Sequence, residues 1–198
     1  MLADSGAYTI MQSLIAAGSG ILGVCVGGYF TARQQRQERR NTRIREQLQG
    51  FYSPMLGMRH EIEAKSEVRG RLSGLAQTAY PQLYEGVKDP ASKLRIQEEN
   101  LPDFVKLSNY NNAQFRDEIV PLYKKMLEHF SAHMWLAEPS TQALYGALCD
   151  FVEIWQRTIE GTIPAEVAFD LNHSEEPLRP FYKDLRHHFD RLTAELSK

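Results

Sequence analysis

Residues 8–30 read YTIMQSLIAAGSGILGVCVGGYF, and no charged residue stands between Asp4 and Arg33. At about 1.5 Å per residue, a helix over this stretch is long enough to cross the roughly 30 Å hydrocarbon layer of a bilayer. Gln12, Ser13 and Ser19 are polar, but Ile10, Leu14, Ile15, Ile21, Leu22, Val24 and Val26 outweigh them. The pattern predicts a single transmembrane helix. A cleavable secretory signal wants positive charge before the apolar run and a small-residue cleavage site after it; here the early charge is Asp4 and the basic cluster follows. A buried core helix is the other alternative, and so long an uncharged run is unusual in a globular domain of this size.

The flanks set the orientation. Arg33, Arg36, Arg39, Arg40, Arg43 and Arg45 follow the apolar run, with Glu38 among them, and no Lys or Arg precedes it. Basic residues beside a span are retained in the cytoplasm, which places the N-terminus outside and the rest of the chain inside a cell (inner) membrane. The same arginines meet anionic lipid headgroups, each contributing on the order of 1 kcal/mol near the surface. From residue 47 onward 17 Lys and Arg face 22 Asp and Glu, so nucleic acid is not an expected partner of the domain. The basic cluster itself is read as a topology signal. The expected organisation is a short extracytoplasmic tail at 1–7, a span at 8–30, a basic helical arm at 31–50 and a cytoplasmic helical domain at 51–198.

Within the span Ser19, Gly23 and Gly27 recur every four residues. A ridge of small side chains lets two backbones approach closely, so homo-oligomerisation through this face is an expected property. Cys25 lies in the span and Cys149 in a periodic helical segment. A disulfide between them is implausible, and a domain without a disulfide framework agrees with a reducing compartment.

Beyond the arm the chain reads as an antiparallel helical bundle, with no run of alternating β-branched residues. Helices are predicted over 54–78, stopped by Tyr80-Pro81; over 113–136, with Ile119, Tyr123, Met126, Phe130 and Met134 in one stripe; and over 141–160, capped by Ser140 and stopped at Gly161. A last helix carries Tyr182, Leu185, Phe189, Leu192 and Leu196 and is entered through Ser174, Glu175 and Glu176. The connection from Tyr80 to Asn112 reads as mixed, broken at Asp89-Pro90 and Leu101-Pro102, with a short helix near 101–107. The aromatic pair Phe51-Tyr52 is expected in the first packing layer of the domain. Residues 119–130 (IVPLYKKMLEHF) and 178–189 (LRPFYKDLRHHF) share Pro, Tyr, Lys, His and Phe in register. Such a match arises easily where Pro begins a helix.

Motifs for chemistry are weak. His129 and His133 stand at i and i+4 on one helical side, which suits a metal, yet Phe130 occupies the place where a zincin carries Glu. His187 and His188 lie on another helix. His60, Glu61, Glu63 and Glu67 read as a charged helix face, and no P-loop, GxSxG or CxxC occurs. No cofactor and no catalytic residue is expected. The leading expectation is a membrane-anchored interaction or scaffold module whose domain binds a cytoplasmic protein. The alternatives are an effector or sensor working through association of its span, and, behind it, a metal-dependent enzyme using His129 and His133.

Overall fold

Pro54 and Pro121 each occupy the second position of a helix, and each follows a five-residue π turn, Leu48–Tyr52 and Phe115–Ile119. Proline offers no N–H, and its ring crowds the carbonyl four residues back, so a regular α ladder cannot pass through it unchanged. Widening the preceding turn lets the chain stay helical. The computed structural model describes residues 31–171 and 174–197, and the regular structure among them is all helical. No helix among the described residues is long and apolar enough to cross a membrane. The 8–30 stretch lies outside the described residues.

Two compact units divide the chain, one ending at Arg45 and one formed by Glu46–Lys198. In the first, residues 31–45 are helical and all six arginines are exposed. The second unit enters through the π turn Leu48–Tyr52 into α1 (Ser53–Gln82), followed by α2 (Pro90–Gln114), the π turn Phe115–Ile119 and α3 (Val120–His133). A 3₁₀ turn at Met134–Leu136 and the single turn α4 (Pro139–Gln142) lead to α5 (Tyr145–Ile159), the short α6 (Ala165–Asp170), a 3₁₀ turn at Glu176–Leu178 and α7 (Arg179–Leu196).

Four expectations need correction, and each has a local cause. Tyr80-Pro81 does not stop α1, which runs through to Gln82 with Pro81 and Gln77, whose carbonyl the ring displaces, both exposed. Asp89-Pro90 begins a helix: the Asp89 side chain accepts from Ser92 N–H at 2.9 Å, and Pro90 takes the first position, where a missing N–H costs nothing. Leu101-Pro102 does not break α2 either. Pro102 and Glu98, whose carbonyl the ring displaces, are both exposed. The expected short helix at 101–107 is therefore part of a 25-residue one. Ser140 does not cap the helix at 141–160; that segment breaks at Ala143-Leu144, and Ser140 Oγ instead meets His188 Nε2 at 2.8 Å. The stop at Gly161 holds, with φ at +66°.

The core forms where the π turn Leu48–Tyr52, α3, α5 and α7 meet. Phe51 and Tyr52 are fully buried, as are Met55, Ile119, Met126, Phe130, Leu148, Phe181 and Leu185. Phe130 stacks on Phe181 at 5.6 Å and meets Phe51 edge-on at 5.1 Å. The two similar segments lie side by side here. Tyr182 Oη donates to Tyr123 Oη at 3.5 Å, while His129 stacks on Phe51 and His188 tilts over Tyr52.

A polar relay pins the same turn. Glu138 N–H donates to Tyr52 Oη at 3.0 Å, Tyr52 Oη lies 3.2 Å from Thr141 Oγ1, and Thr141 donates to Asp184. Because the Thr141 proton goes to a carboxylate, Tyr52 is the donor to Thr141, and each hydroxyl gives once and accepts once. Burial raises the Tyr52 pKa, which keeps that proton in place. Thr141 is wholly buried. Thr141→Val keeps the shape and strands two polar groups, so it is expected to cost about 2–3 kcal/mol in urea unfolding, and Thr141→Ser about 1 kcal/mol or less.

Candidate functional site

Ser19, Gly23 and Gly27, read as a helix-pairing ridge, lie outside the described residues. His129 and His133 are brought together, their rings stacked 4.3 Å apart. One nitrogen of each ring is engaged by backbone: His129 Nε2 donates to Gly50 O at 2.9 Å and His133 Nδ1 to His129 O at 3.1 Å. His187 and His188 do not join them. Among the described residues no group of three or more His, Cys, Asp or Glu is arranged to hold a metal ion.

Ser140, His188 and Asp184 are adjacent, but not as a nucleophile triad. Ser140 Oγ and Asp184 Oδ1 both approach the same ring nitrogen, Nε2, at 2.8 and 3.4 Å, whereas a triad needs base and orienter on opposite nitrogens. Nδ1 faces Arg191 Nη2 at 3.3 Å, and a cation beside it cannot steady a developing imidazolium. A second cluster joins Tyr123, Glu175, Arg59 and Tyr182. Tyr123 donates to Glu175, Arg59 pairs with Glu175 at 3.3 Å, and its guanidinium lies 3.9 Å over the Tyr182 ring. Burial drives both tyrosine pKa values up, out of reach of proton transfer near neutrality. Both clusters join helices.

The helical hairpin of α1 and α2 is different. α1 has 30 residues, about 45 Å of helix, yet its buried residues, Met55, Leu56 and Ile62, all lie in its first third. The buried residue of α2 is polar, Asn111. Eight of the eleven exposed large apolar side chains among the described residues lie between 68 and 110. On α1, Val68, Leu72 and Leu75 repeat at four and three, with Ala79 continuing the row, so they line one side of the helix.

Between the two helices runs a groove of about 360 Å³. Its apolar wall includes Tyr80, Leu101, Phe104 and Val105, with the Tyr80 and Phe104 rings 4.7 Å apart. Its polar wall holds Arg69, Ser73 and Asn111, and Asn111 Nδ2 donates to Ser73 Oγ at 3.0 Å. Sequence reasoning missed this site because it treated 80–112 as a connection. The spacing of Phe104, Leu107 and Asn111, three and four residues apart, was the available signal.

Desolvation, then the neighbouring His133, lowers the His129 pKa from 6.5, and its bond to Gly50 opposes the shift. A depressed folded pKa means that the unfolded chain binds more protons, so this stabilisation is complete above about 6.5 and is lost as pH falls through the folded value. Unfolding midpoints are expected to drop between pH 7.5 and 5.5, and less so in His129→Gln, whose amide also donates to Gly50. An unchanged slope in the variant removes His129 as the source.

Comparisons with protein-family models, with curated proteins and with solved structures find no match.

Proposed function

We propose that the chain is a membrane-tethered, non-enzymatic interaction module. Residues 8–30 cross the inner membrane once, with the N-terminus outside, and Arg33, Arg36, Arg39, Arg40, Arg43 and Arg45 meet the cytoplasmic headgroups. The helical unit Glu46–Lys198 offers its α1–α2 hairpin to a cytoplasmic protein. One observation carries the interaction reading: the concentration of exposed apolar side chains on that hairpin, beyond the last buried residue of α1. Scattered surface leucines are ordinary, but rows at helical spacing on one supersecondary unit are the pattern of a docking face. The uncharged 8–30 stretch and the arginines that follow it support the anchor and its orientation.

The partner that fits is an amphipathic helix laid along Val68, Leu72 and Leu75, since a helix row is matched by apolar residues recurring at i, i+3, i+4 and i+7. Anchoring raises the effective concentration of the hairpin for any partner held at the same bilayer, without a new contact. Pairing of spans through Ser19, Gly23 and Gly27 presents two hairpins at once.

A photo-crosslinking residue at Leu75 of the membrane-inserted chain is expected to capture a discrete cytoplasmic protein, while one at exposed Lys183 captures none. Leu72→Glu with Leu75→Glu is expected to abolish capture and leave the urea midpoint of the bundle within about 0.5 kcal/mol, as for surface changes. Equal labelling from both sites overturns the docking face. A reporter fused after Lys198 is expected to be active in the cytoplasm; periplasmic activity overturns the orientation.

A further inference from the structure

Three arginines among the described residues are half-buried: Arg59, Arg69 and Arg191. Arg59 faces Glu175, and Arg191 faces Glu138 and Glu195. Arg69 faces no carboxylate among the described residues; its guanidinium lies 4.5 Å over the Phe115 ring and reaches the polar wall of the hairpin groove. A guanidinium withdrawn from water without an anion is costly, and burial accordingly lowers its pKa. In the same wall Asn111 is 5% exposed, and its Oδ1 is closed to solvent and has no hydrogen-bond partner. Its amide nitrogen is taken by Ser73, one turn along from Arg69. A buried amide oxygen without a donor is uncommon in a folded protein and calls for a specific explanation.

These two deficits share a cavity with an aromatic and aliphatic wall. An anion answers Arg69, a hydrogen-bond donor answers Asn111, and a flat apolar body answers Tyr80, Phe104, Leu101 and Val105. The volume is in the range of small-molecule sites, which are mostly apolar with a few placed polar groups. We infer that the α1–α2 groove is a binding site for a small aromatic carboxylate that carries an N–H or O–H donor, with Arg69 holding the carboxylate and the Asn111 amide turning outward so that Oδ1, closed to solvent in the unliganded groove, accepts from the donor. Val68, Leu72 and Leu75 are not part of the groove wall. The site and the docking row are thus separate, and loss of one leaves the other testable.

Three matched probes separate the contributions by calorimetric titration of the full chain in nanodiscs. Indole-3-acetate has charge, ring and donor; indole-3-acetamide lacks the charge; 1-methylindole-3-acetate lacks the donor. Indole-3-acetate is expected to bind saturably at sub-millimolar concentration. The amide is expected to bind about tenfold or more weaker and the methylated acid about fivefold weaker, as for a charge-assisted and a neutral hydrogen bond. In Arg69→Gln the preference for acetate over acetamide is expected to vanish while the methyl preference persists, and Asn111→Leu is expected to show the reverse. A merely structural role for either residue changes all three affinities together. No saturable binding of indole-3-acetate, equal binding of the three probes, or a charge preference that survives Arg69→Gln overturns the site.

Discussion

The carbonyl of Gly50 is denied the usual α-helical donor, because the residue four positions on is Pro54, and the helical unit is arranged around the place that donor leaves. His129 fills it from α3 with an Nε2–H bond of 2.9 Å, and the same ring lies flat against Phe51. The proline therefore fixes more than a local bend. It opens the π turn that aims Phe51 and Tyr52 inward, and it leaves an acceptor that ties two distant parts of the chain together. An added methyl at Gly50 would lie 2.7 Å from Leu136 Cδ1, so a side chain there has to push the Leu136 methyl of the 3₁₀ turn aside.

From that knot the order of the structure falls off along α1. Residues up to Ile62 are held by the core, while those beyond pack against α2, through Tyr80, Phe104 and the Asn111–Ser73 bond, and touch the following π turn through Lys65–Glu118 and Arg69 over Phe115. α2 in turn packs against α1 and the π turn that follows it. A two-helix hairpin buries little apolar area, and helix formation in water depends largely on such burial. The hairpin thus carries an unfinished surface: an apolar row on α1 and, between the helices, a groove whose cation and amide oxygen lack partners. Binding at either place completes packing that the chain by itself leaves open.

Much of this order was legible in the residues. The helical class, the stripe through Ile119, Tyr123, Met126 and Phe130, and the stop at Gly161 follow from periodicity and from glycine's tolerance of positive φ. The burial of Phe51 and Tyr52 follows from their size. What stayed hidden was set by proline context. Asp89-Pro90 and Leu101-Pro102 look like breaks by composition, yet the first is a capped helix start and the second lies on an exposed face, where the carbonyl that loses its helical donor is open to solvent. Missing α2 meant missing the groove, because Arg69, Ser73 and Asn111 come together only when two long helices run antiparallel. The i, i+4 spacing of His129 and His133 does place the rings together, and one nitrogen of each ring donates to a backbone carbonyl.

The central claim is a gradient, from a tightly tied centre to a hairpin with an exposed apolar row, and amide hydrogen exchange of the full chain in nanodiscs measures it directly. Amides of 51–62 and 120–133 are expected to exchange about two orders of magnitude more slowly than those of 66–82 and 93–110. Equal protection of hairpin and centre in the unliganded chain would contradict the account.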